Sequence, residues 1–175
     1  MLLHLSAQVN RTDVLQQLLL ARANVNKANK DGATPLLVAA KNNSIEALRE
    51  LVLAKANVDQ RARGGVTPVY VAAQANKPEA VQELALARAN VNQTRNDGAT
   101  PVFAAALESN IQALQGLVLA QANVNQAAKD GATPMHMAVM DDSIEIIQIL
   151  LLGKANVDQA AGGGITPAFT AAQLN

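Results

Sequence analysis

Two histidines, His4 and His136, are the residues of this chain best suited to bind a metal or to transfer protons near neutral pH. Asp141, Asp142 and Ser143 follow His136 closely, so the residue types of a hydrolytic site occur together. Their order matches no catalytic motif, and Asp and Ser at such spacing are ordinary helix caps. The absence of Cys excludes disulfides, thiolate nucleophiles and Cys–zinc sites. These residues therefore favour a structural role.

Two glycine patterns resemble ligand loops but lack the residues that would bind a ligand. Asp-Gly pairs occur at Asp31, Asp97 and Asp130. The alternating acidic ligands of a calcium loop are missing around them, so they indicate turns. The glycines at 162–164 are not followed by the Gly-Lys-Ser/Thr of a phosphate loop. The sequence predicts no catalytic residue, no cofactor and no metal site.

The elements that position these residues repeat every 33 residues. Thr-Pro recurs at Thr34, Thr67, Thr100, Thr133 and Thr166, and Ala-Asn-Val begins at Ala23, Ala56, Ala89, Ala122 and Ala155. The register predicts one domain over 1–175, with full units at 31–63, 64–96, 97–129 and 130–162, an incomplete unit at 1–30 and a truncated one at 163–175. The two histidines then occupy one position, four units apart. Helix layers stack at roughly 8–10 Å, which separates them by about 35–40 Å and excludes a shared metal.

Local chemistry predicts the shape of one unit. Thr34 caps a helix that has Pro at its first position and ends near Lys41 or Asn42. The next position holds residues that tolerate a left-handed backbone. This column contains Asn10, Asn43, Asn76, Ser109, Asp142 and Asn175. A second helix, with an apolar stripe, is expected from about Ile45 to Ala54. A polar, Gly-containing stretch then predicts an extended turn or hairpin.

The unit resembles the ankyrin repeat. The resemblance rests on Asp31-Gly32-Ala33-Thr34-Pro35-Leu36, Ala39-Ala40 and Ala56-Asn57-Val58-Asp59, and it extends over the whole chain. It implies an all-α solenoid of stacked helix-turn-helix units joined by β-hairpin-like loops. The loops and first helices would form the concave side and the second helices the convex side. It also implies that the histidines form hydrogen bonds between units.

Two columns depart from the family pattern. Where the family has Gly at the end of the second helix, this chain has Arg22, Lys55, Arg88, Gln121 and Lys154. A left-handed or slightly reshaped cap is expected there, at a cost on the order of 1 kcal/mol for each non-Gly residue. The second column contains Leu20, Leu53, Leu86, Leu119 and Leu152. We expect these leucines to contact the neighbouring unit; the alternative is a partly exposed ridge on the convex face.

The second helix of the last full unit, which begins near Ile144, is apolar on every side. A helix of this kind is normally buried on more than one face, so a further unit, another chain or a partner is expected to cover it. The first unit also begins with apolar residues. Residues 1–96 contain 12 Lys and Arg against 7 Asp and Glu, a net charge of +5, and residues 97–175 contain 2 against 7, a net charge of −5. Head-to-tail self-association of a basic and an acidic end is therefore a hypothesis.

The resemblance implies a noncatalytic module that binds a protein partner on its concave face. The candidate contact residues are those that vary between units on that face: Lys41, Arg61, Arg63, Gln74, Arg95, Leu107 and Met140. The alternatives are a structural spacer within a longer array and a targeting module of a larger protein. Zero net charge argues against nucleic-acid binding, and no apolar run approaches membrane-spanning length. No signal peptide is recognised, so an intracellular, cytoplasmic location is expected.

Overall fold

The chain is described by a computed structural model that covers the backbone of residues 1–174 and the side chains of residues 1–173. This part contains eleven helices and no strand. They are α1 (Leu2–Gln8), α2 (Thr12–Leu20), α3 (Pro35–Asn42), α4 (Ile45–Leu53), α5 (Pro68–Gln74), α6 (Pro78–Leu86), α7 (Pro101–Leu107), α8 (Ile111–Leu119), α9 (Pro134–Met140), α10 (Ile144–Leu152) and α11 (Pro167–Leu174). Short 3-10 turns lie at Arg63–Gly65 and Gly162–Gly164.

The helices form two layers, as the repeat predicts. The odd-numbered helices, the first of each unit, pack on one another in chain order, and so do the even-numbered ones. Neighbouring first helices pack more closely than neighbouring second helices, most clearly in the first half of the stack. A stack whose layers differ in this way curves, and the first helices lie on the inner side. The predicted all-α solenoid of stacked helix-turn-helix units is confirmed.

Thr-Pro begins the first helix of every unit after the first, and in four of these five the Thr side chain caps the helix. The Oγ1 atom of Thr67 accepts a hydrogen bond from the backbone N–H of Tyr70 at 3.2 Å, and Pro68 occupies the first helical position. Thr34, Thr100 and Thr166 form the same cap. Thr34, Thr67 and Thr100 are buried, so their hydroxyls are satisfied where water cannot reach them, and the hydroxyl of the buried Thr133 pairs with His136 instead.

The turn between the two helices of a unit is left-handed, as expected. Asn43 has φ 57° and ψ 34°. Positive φ also occurs at Asn10, Asn76, Ser109 and Asp142, while Asn175 lies outside the described residues. Asn43 has a further role that the sequence did not reveal: its Oδ1 atom accepts a hydrogen bond from the backbone N–H of Ala80, 3.3 Å away in the first turn of α6. Asn10 and Asn76 cap the next second helix in the same way.

The second helix ends in the left-handed cap predicted for the column that lacks Gly. Lys55 has φ 63°, and its backbone N–H donates to the carbonyl of Val52. The N–H of Ala56 donates to the carbonyl of Leu51 at 2.9 Å. This pair of bonds is the Schellman motif, in which Gly is the residue of lowest strain. Each of the other four members of the column also has positive φ.

Replacing Lys55 with Gly is therefore expected to stabilise the chain. Gly removes the left-handed strain, and the net gain in the free energy of unfolding should be about 0.5–1 kcal/mol in urea denaturation. Lys41 is the matched control, because it is an exposed lysine inside helix α3. Lys41→Gly should lower the free energy of unfolding by a similar amount. A loss of stability for Lys55→Gly would contradict the prediction.

The loops between units are hairpin-like turns that stack on one another. Within a loop, the backbone N–H of Ala62 donates to the carbonyl of Val66 at 2.8 Å. Between loops, the N–H of Arg63 donates to the carbonyl of Asp31 at 2.9 Å, and the three later loops repeat this bond. The turns require Gly where backbones approach: a Cβ on Gly98, which has φ +87°, would lie 2.8 Å from the nitrogen of Lys129.

A hydrophobic core runs continuously between the two helix layers. Its largest fully buried side chains are leucine, isoleucine and valine, and fully buried alanines fill the space where helices pack closely. A second, smaller hydrophobic cluster lies where the first helices of the middle units meet the loop before α7. It contains Tyr70, Ala99, Phe103 and Ala104. This cluster supports the inner face of the solenoid.

Candidate protein-binding surface

A row of exposed side chains crosses the inner layer at the end of the first helices. Lys41, Gln74, Leu107 and Met140 occupy the same position in the last turn of α3, α5, α7 and α9, and all four are exposed. Leu107 is 51 % exposed and Met140 is 60 % exposed. Because these helices stack directly, the four side chains lie one layer apart, at roughly 10 Å spacing. The structure therefore brings this part of the predicted set together.

Two of the predicted arginines lie on the loops and are exposed. Arg61 donates a hydrogen bond from a guanidinium nitrogen to the side-chain oxygen of Asn96 on the next loop, at 2.9 Å. The guanidinium of Arg63 forms no hydrogen bond or ion pair with any described residue. An exposed guanidinium of this kind can bind a carboxylate with two parallel hydrogen bonds. Arg63 is thus the most available of the three candidate arginines.

Arg95 differs from the other two arginines because its side chain is already engaged. Its guanidinium lies 5.5 Å from the ring centre of Tyr70 and donates to the Tyr70 hydroxyl at 3.3 Å. It also forms an ion pair with Asp97 at 2.5 Å. Arg95 is half-buried and Tyr70 is buried. Arg95 therefore connects the loop to the aromatic cluster, and a partner would meet only its outer edge.

The environment of Tyr70 changes its acidity in a direction that can be measured. Burial raises the pKa of the hydroxyl above its ordinary 10.0, the positive charge of Arg95 opposes this rise, and Asp97 adds to it. The pKa of Tyr70 is higher in the folded state than in the unfolded state, so its contribution to stability is fully present below pH 10. That contribution is lost as the pH rises through the folded-state pKa.

Titration of Tyr70 by ultraviolet absorbance tests this arrangement directly, because it is the only Tyr of the chain and Trp is absent. Arg95→Met keeps an apolar stem over the ring and removes the charge, so the pKa of Tyr70 should rise further. Asp97→Asn keeps the cap on the backbone N–H of Ala99 and removes an anion, so the pKa should fall. Shifts in the opposite directions would show that Arg95 does not contact the ring in solution.

His136 is buried and His4 is half-buried, and both form hydrogen bonds between units. The Nε2 atom of His136 is 3.0 Å from the carbonyl oxygen of Ile165, and that of His4 is 3.0 Å from the carbonyl oxygen of Ala33. A carbonyl only accepts, so Nε2 carries the proton in both rings. The hydroxyl and N–H of Thr133 lie within 3.2 Å of Nδ1 of His136. The inter-unit role implied by the resemblance is confirmed.

The two histidines differ at Nδ1. Nδ1 of His4 is buried without a hydrogen-bond partner. Met1 stands where the repeat otherwise has Thr, so His4 lacks the hydroxyl that pairs with Nδ1 of His136.

Among residues 1–174 no group of three or more His, Asp or Glu is placed to hold a metal. Within the same residues no helix is both long and apolar enough to cross a membrane.

The leucine column on the outer layer corrects one of the sequence-based expectations. Leu20, Leu53, Leu86, Leu119 and Leu152 are between 71 % and 84 % exposed, so they do not contact the neighbouring unit as expected. They are the last residues of the five second helices and form a ridge along the convex face. Each of these leucines lies at the end of its helix and outside the hydrophobic core. The alternative prediction, an exposed ridge, is confirmed.

The apolar helix α10 is covered on one side only. Ile146, Ile149 and Leu150 are buried in the core, whereas Ile144 and Leu151 are exposed at the end of the stack. In interior units the residues at these two positions are half-buried, because another unit follows them. That a further unit, another chain or a partner covers this face stays a prediction.

Comparison with known families agrees with the geometry. A comparison with curated proteins found no significant match. A family model described as ankyrin repeats (three copies) matches residues 3–95 and 70–161, so the two matches together cover nearly the whole chain. Ankyrin repeats generally mediate protein–protein interactions and are typically noncatalytic. With its 33-residue units, capped Thr-Pro helices and inter-unit histidine bonds, the chain belongs to the ankyrin-repeat family.

Proposed function

We propose that the chain is a noncatalytic module that binds a protein segment along its inner face. The observation that carries the proposal is the exposed row of Lys41, Gln74, Leu107 and Met140, which differ in chemistry while the positions that support them are nearly constant. A surface that varies on a fixed framework is suited to selective contacts. The framework is already ordered, so little conformational entropy would be lost on binding.

The chemistry of this surface indicates the kind of segment that would bind. Arg61 and Arg63 lie on a loop of the basic half, and Leu107 and Met140 lie further along the stack. A segment with acidic residues at one end and apolar residues at the other would match both. The row spans about 30–40 Å, which an extended peptide covers with about ten to twelve residues.

Selection from a display library of random peptides of about fifteen residues tests the proposal. The immobilised full chain is expected to enrich peptides with acidic and apolar ends. Binding should fall at least about tenfold with Arg63→Ala or Leu107→Glu, because a few side chains carry most of the affinity of such a surface. Leu86→Glu is the matched control, since it places the same charge on the outer ridge. Arg95 is not used, because its loss would also disturb Tyr70.

Two results would contradict the proposal. If no peptide binds saturably, the spacer alternative is favoured. If the selected peptides bind Leu107→Glu as tightly as the unchanged chain and lose affinity for Leu86→Glu, the binding surface is the outer face.

Head-to-tail self-association stays a separate prediction. Leu2 and Leu5 are exposed at one end face, and Phe169 is 51 % exposed at the other, whereas Tyr70 at the equivalent interior position is 3 % exposed. A second copy stacked on these faces would cover them. Because the ends have opposite charge, sedimentation should show association that weakens as salt is added. A monomer at high concentration and low salt would contradict it.

A further inference from the structure

The loop at residues 60–66 differs from the other loops of the solenoid in its charge. It carries two exposed arginines, Arg61 and Arg63, whereas no other loop has two cations at the corresponding positions. Gly64 stands where three of the other four loops have an acid, namely Asp31, Asp97 and Asp130. The loop therefore has two positive charges and no carboxylate of its own.

The guanidinium of Arg61 is held in place by the next loop. It donates to the side-chain oxygen of Asn96 at 2.9 Å, and it lies so close to Gly65 that a Cβ there would collide with both groups. A guanidinium has five N–H donors, so most of those of Arg61 stay available for a ligand. Because the group is already positioned, less conformational entropy is lost when it binds.

Arg63 is close to Arg61 and has no partner of its own. The residue between them, Ala62, is extended, so the two side chains leave the same side of the loop from Cα atoms about 6–7 Å apart. Gly64 follows and is exposed, and a Cβ on it would meet nothing within 4 Å. Its backbone N–H forms no hydrogen bond with any described residue. The arginines therefore lie beside open space and a further free donor.

The charges on the two flanking loops offset one another. Lys30 and Asp31 are neighbours on the preceding loop, and neither forms an ion pair. Arg95 and Asp97 pair with each other on the following loop. The two positive charges of the loop at residues 60–66 are thus left uncompensated, and they attract an anion of more than one charge.

We propose that Arg61 and Arg63 bind the phosphate of a phosphorylated residue in the protein segment that the inner face binds, an inference that rests on the proposed function. A carboxylate has two oxygens, and a single guanidinium can bind both. A phosphate monoester has three free oxygens and a charge of about −1.5 to −2 at pH 7, so it can bond to both guanidinium groups and neutralise both. Phosphorylation of the segment would then switch its binding on.

Two synthetic peptide libraries test the inference on the full chain, one with a phosphoserine among random positions and one with Ser in its place. Peptides selected from the first library should bind at least about tenfold more tightly than the same peptides without phosphate, as hydrogen bonds to a charged group would give. Glu in place of the phosphoserine should recover only part of this gain. The double variant Arg61→Gln and Arg63→Gln should bind both forms equally, and its fold should be intact because both residues are exposed.

The repeat offers a matched pair of variants for the open space beside the arginines. Gly64→Asp gives this loop the carboxylate that three other loops have, so it should weaken binding of the phosphopeptide about threefold or more. Gly163→Asp makes the same change at the same position of the last loop, which has no arginine and is equally open. It should leave the affinity unchanged. Asp tolerates positive φ, so both variants should fold.

The pH dependence of binding separates a phosphate from a carboxylate. The second pKa of a phosphate monoester is about 6, so the dianionic fraction rises from about a quarter at pH 5.5 to nearly all at pH 7.5. Affinity for the phosphopeptide should rise about twofold to fourfold over this range. The Glu peptide is ionised throughout, so its affinity should stay constant and would report any titration of the protein itself.

The outcomes distinguish this inference from the proposed function. Equal affinity for the phosphorylated and unphosphorylated forms would overturn the inference and leave the proposed function intact. A phosphate preference that the double variant keeps, or that Gly163→Asp lowers as much as Gly64→Asp, would place the phosphate elsewhere and overturn the inference as well. If neither library yields a saturable binder, the proposed function fails and this inference fails with it.

Discussion

Replacing Leu84 with Ala is expected to lower the free energy of unfolding by about 3 kcal/mol, in the range measured for buried leucines in other proteins. Leu84 is completely buried in the main core, on the inner side of α6. The substitution removes apolar contact with the neighbouring helices and leaves a cavity, because closely packed helices cannot move together to fill it. Helix propensity does not contribute to the loss, since Ala is the better helix former.

Leu86 is the matched control for this prediction, because it is the same residue type two positions later in the same helix. It is 71 % exposed, so Leu86→Ala should change the free energy of unfolding by no more than about 0.5 kcal/mol. Urea denaturation followed by circular dichroism measures both variants. Equal losses would show that the outer ridge is buried in solution, which would itself require self-association or a different helix packing.

The sequence predicted the fold well because its information is local and repeated. Thr67 before Pro68 specifies a helix start from hydroxyl and ring chemistry alone, and Asn43 specifies a turn from its tolerance of positive φ. Five copies in one register then leave little choice of stacking, because each unit buries its apolar face on the next. The left-handed caps at Lys55 and its equivalents followed from the same reasoning.

The surface was harder to predict, because exposure depends on distances between helices that a helical wheel does not contain. Leu53 falls at the edge of the apolar arc, and a wheel cannot show that it lies 73 % exposed. The pairing of Arg95 with Tyr70 joins residues 25 positions apart, across a loop whose course the sequence does not specify.

Replacing Asn43 with Ala is expected to lower the free energy of unfolding by about 2 kcal/mol, from two separable causes. Ala is strained at φ 57°, which costs about 1 kcal/mol. It also cannot cap the N–H of Ala80, and loss of a cap costs about 1 kcal/mol. The Asn43 amide donates to the carboxylate of Glu79 at 3.0 Å as well, and this bond, after that from the backbone N–H of Glu79, lowers the pKa of Glu79.

The two causes are separated by Asn43→Gly, which permits the left-handed backbone and lacks the cap, so that it should lose only about 1 kcal/mol. Asn42 is the matched control: it is an exposed Asn inside α3 that bonds only to the carbonyl of Val38, and Asn42→Ala should change stability by less than about 0.5 kcal/mol. If Asn43→Gly is as stable as the unchanged chain, loss of the cap does not contribute to the effect of Asn43→Ala.

Hydrogen exchange distinguishes a bond between units from strain within one. Because the cap joins α3 to α6, its loss should speed hydrogen exchange in the first turn of α6 more than in α3.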